Sequence, residues 1–184
     1  MTLRVIAGSA KGRKLKSVPG DTTRPVMDRV KEALFSILAG DVIDSNWWDV
    51  FGGTGAIGIE SLSRGAAFVR FSELNRAALE TIKENIEHCG FGESTEIRRG
   101  DAFAMLTAQA DRKFEYIYIA PPQYKEMWSK ALKLIDEHMD WLTDDGTAIV
   151  QIDPGEHREV ELGNLEETEQ RKYGSTLLVF YDRK

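Results

Sequence analysis

The amino-acid sequence predicts an α/β fold in which a mostly parallel sheet is covered by helices on both faces. Three observations carry that expectation. Short apolar, β-branched and aromatic runs alternate with longer runs at helical spacing, the pattern of a parallel sheet with crossover helices. A glycine-rich loop joins the first of these strands to the helix after it. The length of 184 residues, with 42% hydrophobic content, suits one such core and is short for two. The expectation is therefore a single domain over 1–184, divided into a basic N-terminal arm at 1–24 and an α/β core at 25–184.

Taken in order, the stretch LRVIAGSAKGRKLKSV (3–18) alternates short apolar groups with Gly, Lys and Arg, which suits a small β-ribbon or extended arm. Val30, Ala33, Leu34, Ile37 and Leu38 then fall at helical spacing, predicting a helix over 26–38 with Thr23 as its cap and Pro25 in its first turn. Strands are predicted at 47–51, 67–72, 95–99, 115–119, 147–152 and 176–181, and helices at 56–64, 75–89, 102–109 and 125–142. The polar segment 155–175 shows no convincing long helix, so an antiparallel hairpin is expected to close the sheet. Trp47, Trp48 and Trp141 read as core, Tyr173 and Gly174 as a turn. Trp128 is close enough to the stretch APPQY (120–124) to wall a pocket there.

Composition narrows the setting. No apolar run approaches the ~20 residues that cross a bilayer, and the N-terminus lacks the order of a signal peptide, so a cytoplasmic protein without a membrane partner is expected. Cys89 stands alone, and His88, His138 and His157 are scattered without ligand spacing, so no metal is expected. The net charge of −6 is uneven. Residues 1–31 hold eight cations against Asp21 and Asp28, a balance of +6 that leaves −12 for the rest. A basic arm on an acidic body can meet a polyanion and orient it; a solvated basic face is the plainer reading.

Gly53, Gly55 and Gly58 follow a strand and open a helix at G-x-G-x-x-G spacing, the context this fingerprint requires. One unit later Glu73 ends a strand, where a carboxylate can accept from a ribose diol, and Asp101 ends the next. Acids at the carboxyl ends of adjacent parallel strands line the ligand crevice of an open sheet, which points to an adenosine-containing ligand. The competing reading makes Asp101 only a helix cap and Glu73 only solvated, and it weakens when both acids are taken together with the glycine loop. The glycine spacing admits a nicotinamide dinucleotide and hence an oxidoreductase. Asp49 inside DVFGGTG better suits the cationic amino-acid end of S-adenosylmethionine than a diphosphate, and the chain is short for a dehydrogenase.

The stretches RVIAGSAKGRKLKSVPG, TRPVMDRVKEALFSIL, DVFGGTGAIGIESLSRGA, ELNRAALETIKENI, GDAF and YGSTLLVFY together resemble the RsmD-type bacterial 16S ribosomal RNA guanine-N(2) methyltransferases over nearly the whole chain. The resemblance implies one Rossmann-like class I methyltransferase domain with a seven-stranded sheet and S-adenosylmethionine as methyl donor. It further implies a guanine of 16S rRNA as acceptor; a small-subunit particle as the form of that substrate and a monomeric enzyme are expected. By position, Asp49, Phe51, Gly53, Thr54 and Gly55 match the cofactor loop, Glu73 and Leu74 the ribose end, and Asp101 and Ala102 the adenine side. The resemblance assigns RNA contacts to Arg4, Lys11, Arg13, Lys14, Lys16, Arg24 and Arg29, with the Arg24 segment near the methionine moiety or the RNA.

One stretch departs from the resemblance. Family members carry Asp or Asn, then Pro-Pro and an aromatic; here Ala120 takes the acid's place at the cofactor edge, and Gln123 is inserted before Tyr124. Methyl transfer to an exocyclic amine is an in-line displacement, helped by acceptors for the two N–H groups and by a stacking surface. Ala120 offers no side-chain acceptor. The Pro121 carbonyl, the rigid Pro122, the Gln123 amide and the Tyr124 ring are the expected catalytic set. A catalytically impaired RNA-binding assembly factor and a methyltransferase with another RNA or DNA acceptor are the competing readings.

Overall fold

The computed structural model describes residues 2–20 and 26–184. Strands β1 (Asn46–Asp49), β2 (Phe68–Glu73), β3 (Thr95–Arg99), β4 (Phe114–Ile119), β5 (Leu142–Ile152), β6 (Leu165–Tyr173) and β7 (Thr176–Arg183) form one sheet, ordered β3-β2-β1-β4-β5-β7-β6. The first five are parallel, and β7 runs antiparallel between β5 and β6. Chain order reverses between β1 and β4. The loops leaving those two strands therefore diverge and open a crevice at their carboxyl ends.

The helices are α1 (Asp28–Leu38), α2 (Ala56–Ser63), α3 (Arg76–Cys89), α4 (Ala102–Leu106) and α5 (Met127–Glu137). Burying a sheet on both faces requires apolar side chains at successive strand positions, and adjacent Trp47 and Trp48 show how this works. Trp47 points toward α1–α3, its ring centroid 5.5 Å from Phe35 and 4.7 Å from Tyr116. Trp48 points the other way, toward α4 and α5, at 5.5 Å from Phe114 and 4.7 Å from Trp141. Both are fully buried, and each indole N–H finds a hydroxyl, on Ser45 and Ser72 respectively.

Several predicted bounds shift. Helix α1 starts at Asp28 with Met27 at its cap and no side-chain capping bond; Thr23 and Pro25, the expected cap and first-turn residues, lie outside the described residues. Helix α4 stops at Leu106 rather than 109, and α5 at Glu137 rather than 142. After α5, the chain turns at His138 into a 3-10 turn at Met139–Trp141, letting the Trp141 indole donate to the Leu106 carbonyl at 3.0 Å. The antiparallel hairpin expected to close the sheet is present as β6–β7; β6 itself has no predicted bounds, because its polar residues pair only with β7 at the sheet edge and so carry little hydrophobic signal. Trp128 is buried in the core beneath α5 and stacked on His157, instead of walling the loop at 120–124.

The N-terminal arm is part of the core. Leu3, Val5, Ala10 and Leu15 are buried with α1 and α2, and Arg4 bridges Lys14 in antiparallel fashion, as the ribbon pattern predicted. Glu60, fully buried on α2, anchors it. Its carboxylate accepts from Ile6 N at 3.0 Å, Ala7 N at 3.1 Å and Arg64 Nε at 2.9 Å, and faces the buried Lys31 ammonium at 3.4 Å. Lys31 also donates to the Arg4 carbonyl. Replacing Glu60 with alanine leaves Lys31 buried without its counter-charge and two arm N–H groups without an acceptor. A loss of about 3–5 kcal/mol is expected in urea unfolding, with part of it recovered in a Glu60→Met/Lys31→Met double variant.

Candidate active site

The glycine loop leaves β1 at Asp49 and enters α2 through Gly55, which sits in the left-handed region at φ +80°. A side chain at Gly58 would stand 2.4 Å from the Phe71 ring, so only glycine lets α2 lie this close to β2. The loop is fastened to the neighbouring strand from two directions. Gly52 N donates to the Ser72 carbonyl at 2.9 Å, and Gly53 N donates to Glu73 Oε2 at 2.9 Å. Glu73 Oε1 accepts from Leu74 N and Asn75 N, each at 2.9 Å. A carboxylate offers about four acceptor positions. Three backbone donors leave room for one ribose hydroxyl, and full contact with a diol requires one backbone bond to yield.

Asp49 is the counterpart. It is 3% exposed, and among the described residues its Oδ1 has no hydrogen-bond partner. Burial, reinforced by the charge of Glu73, pushes its carboxyl pKa well above the usual range, against a backbone hydrogen bond from Gly58 that lowers it. An unpaired buried acceptor beside a second carboxylate suits a cation, and the residues present fit S-adenosylmethionine on that ground. Asp49 would hold its ammonium and Glu73 its ribose.

The remaining predicted cofactor residues are arranged around this pair. Phe51 meets Phe103 edge-on at 6.1 Å, and Leu74 is 64% exposed directly after Glu73, an apolar surface open to a flat ring. Asp101 caps α4 through Ala104 N at 3.1 Å, and the Ala102 side chain is buried in the core, leaving its backbone for any ligand. Thr54 gives its carbonyl to Asn85 Nδ2 at 2.9 Å. Asn85, buried on α3 and not singled out by the sequence, also brackets the arm, accepting from Lys16 N at 2.8 Å and donating to Lys16 O at 3.1 Å.

The second wall is the loop after β4. Ala120 packs against the α1–α3 side of the core, and Pro122, Gln123 and Tyr124 are exposed. Among the described residues Gln123 makes no side-chain hydrogen bond, so its amide is open. Tyr124 at φ +57° and Glu126 at φ +52° are two left-handed non-glycine residues in one short loop, a conformation that needs outside support. Support comes from the turn after β5. Tyr124 N donates to Glu156 Oε1 at 2.7 Å, and Asp153, hydrogen-bonded to the Tyr124 phenol, pushes that hydroxyl's pKa up. Asp153 and Glu156 themselves form a capping box. No sequence pattern had marked either acid. Beside Ala120 on the same sheet face, Gln151 accepts from the buried Tyr118 hydroxyl.

The arm's cations are largely engaged within the protein. Arg4 pairs with Asp28 at 3.0 Å, Lys16 with Glu84 at 2.6 Å, Arg13 donates to the His88 carbonyl, and Arg29 lies 5.7 Å over the Tyr173 ring. Lys11 and Lys14 are exposed with no ion pair among the described residues, and Arg24 lies outside them. Among the described residues no helix is long and apolar enough to cross a membrane, and no three His, Cys, Asp or Glu side chains gather as metal ligands.

The family described as conserved hypothetical protein 95 matches residues 3–182. YlbH of Bacillus subtilis is 37% identical, the match covering 99% of this chain and all of that protein. The Escherichia coli ribosomal RNA small subunit methyltransferase D is 31% identical over 149 residues, 81% of this chain and 74% of the relative. Among solved structures, yhhF of Escherichia coli superposes with a TM-score of 0.86 at 28% identity, covering 100% of this chain and 99% of that one. An RNA methyltransferase from Salinibacter ruber, in complex with S-adenosylhomocysteine, shares the fold with a TM-score of 0.64 at 15% identity, over 87% and 93% of the two chains. The sheet is thus the Rossmann-like class I methyltransferase fold.

The Asp49 environment makes a stability prediction. A carboxyl whose native pKa is raised destabilises the native state as pH rises from the unfolded value of 3.8 toward the native one, and the penalty then stays. Asp49→Asn should therefore stabilise the ligand-free protein at about pH 7, by about 1–3 kcal/mol. The gain should vanish near and below pH 3.8 in thermal or urea unfolding.

Proposed function

Since the chain belongs to the conserved hypothetical protein 95 family, that of the ribosomal RNA small subunit methyltransferase D proteins, we propose that it methylates the exocyclic 2-amino group of a guanine in 16S rRNA. The donor is S-adenosylmethionine. The observation that carries this reading is the unpaired, buried Asp49 beside the glycine loop, with Glu73 one strand away. A diphosphate would meet repulsion from both carboxylates, which counts against the dinucleotide oxidoreductase. A ligand with an ammonium and a ribose meets an acceptor at each end.

When bound, S-adenosylmethionine supplies a methyl group already activated on a sulfonium, so the protein's task is to position the amine. In the proposed arrangement the Asp49 carboxylate and the Glu73 carboxylate fix the two ends of the cofactor. Phe51 and Leu74 cover apolar surface between the loop after β1 and the turn after β2. The Tyr124 ring, 67% exposed and backed by Glu156 and Asp153, offers a face for an extruded guanine. The Pro121 carbonyl accepts one N–H of the amine. The open amide of Gln123 accepts the other, in the role Ala120 cannot fill. The Lys11 and Lys14 side chains contact phosphates, and the substrate is a small-subunit particle met by a monomer in the cytoplasm.

A second reading, a catalytically impaired assembly factor that binds RNA and cofactor without turnover, draws on Ala120 alone. Labelled methyl transfer to small-subunit particles lacking the modification separates the two. The wild type should transfer methyl. Tyr124→Ala should lower kcat/KM about 10–100-fold, the worth of one base-stacking contact, and Gln123→Ala about tenfold, the worth of one acceptor. No transfer by wild type that still binds S-adenosylhomocysteine would favour the assembly factor. Full activity of Gln123→Ala would remove that residue from the mechanism.

A further inference from the structure

The loop carrying Tyr124 runs directly into a cationic face on the side of the sheet opposite the arm. Lys125, Lys130 and Lys133, with Ser129 between them, line an open cleft of about 420 Å³ along α5, together with Glu126, Leu134 and Glu137. Among the described residues none of the three lysines makes an ion pair. Of the two acids in the lining, Glu126 is 3.5 Å from Arg158, which also donates to Ser129 Oγ at 3.1 Å and adds a fourth cation at the rim, and Glu137 lies one turn beyond Lys133. Lys130 Nζ lies 4.2 Å above the Phe103 ring, and Phe103 in turn meets Phe51 of the glycine loop. The face thus extends from the loop after β4 to the loop after β1.

Two features single it out from an ordinary solvated helix surface. Residues 32–184 carry a net charge of −12, so a cluster of unpaired cations beside the crevice runs against the body's charge. Lys130 is also held toward the crevice, its ammonium over the Phe103 ring rather than on a carboxylate. On the arm, by contrast, Arg4 and Lys16 make exposed ion pairs and Arg13 donates to a carbonyl, while Lys11 and Lys14 have no ion pair among the described residues.

We infer that Lys125, Lys130 and Lys133 bind backbone phosphates of the RNA strand flanking the target nucleotide. The RNA then straddles the crevice, with the arm on one face of the sheet and α5 on the other. This rests on the proposed rRNA substrate. Phosphate contacts of this kind are sequence-independent and salt-sensitive, each contributing about 0.7–0.9 to the slope of log K against log salt.

The test compares wild type with a Lys125→Gln/Lys130→Gln/Lys133→Gln variant, binding deproteinised 16S rRNA at a series of salt concentrations. A control variant, Lys113→Gln/Lys184→Gln, removes charge at the other end of the parallel strands. The triple variant should lose about 2 units of salt slope and at least tenfold in RNA affinity at the lowest salt, with S-adenosylhomocysteine affinity unchanged and the control slope at the wild-type value. A wild-type slope in the triple variant, or an equal loss in the control, would overturn the assignment. So would weakened binding to intact particles with unchanged binding to the naked RNA, which would assign the face to a ribosomal protein. Failure of the wild type to bind either substrate would instead defeat the functional reading, and the phosphate assignment with it.

Discussion

The crevice depends on one carboxylate. Glu73 stands at the end of β2 and accepts Gly53 N from the glycine loop together with Leu74 N and Asn75 N from the turn into α3. Three charge-assisted bonds to one side chain join two loops that would otherwise move separately, and each is stronger than its neutral counterpart. The same charge acts on Asp49, whose buried carboxyl it pushes further toward the protonated form. The chain thus completes the hydrogen bonding of one acid while leaving its neighbour with an open oxygen. An unsatisfied buried group lowers stability, and such groups collect where a ligand completes them.

Outside this pair, buried polar side chains tie the arm to the helices that frame the site. Glu60 receives the arm's Ile6 and Ala7 amides, and Asn85 brackets Lys16 while holding the Thr54 carbonyl of the glycine loop. The N-terminal residues are therefore structural as well as basic. Their charge, read from composition, overstates what they offer a polyanion, because several cations already face carboxylates or carbonyls. On the opposite wall, Glu156 and Asp153 do for the Tyr124 loop what Glu73 does for the glycine loop: acids from the turn after the neighbouring strand β5 hold a backbone that would be strained on its own.

Much of this was legible in the sequence, and the rest was not for identifiable reasons. The strand–helix alternation and the glycine loop are local signals, and the buried Trp47–Trp48 pair is what a two-faced parallel strand requires. Strand β6 escaped because an edge strand with one partner needs few apolar residues. The end of α5 was overrun because Met139 and Trp141 continue a helical spacing although His138 has left it. Asp49 and Glu73 were singled out by position. That Asp101 caps α4 was the plainer of its two readings and is what the structure shows; that Glu73 is already occupied by backbone donors could not be found so, because N–H groups leave no trace in residue type. Glu156 lies 32 residues from Tyr124, a contact only the fold brings about. The alanine at position 120 was plain to read, while the amides of Gln123 and Gln151 near it become distinguishable only once their hydrogen bonds are known.

The central claim, that Asp49 is kept for the ligand's ammonium, has a direct calorimetric test. S-adenosylhomocysteine binding is titrated in buffers of different ionisation enthalpy across about pH 5 to 8, in wild type and in Asp49→Asn. A cation placed against Asp49 lowers its raised pKa, so wild-type binding should release protons, in proportion to how far Asp49 is protonated beforehand. Asp49→Asn should bind more weakly and show none of this release. Equal affinity and equal proton exchange in the two proteins would contradict the account.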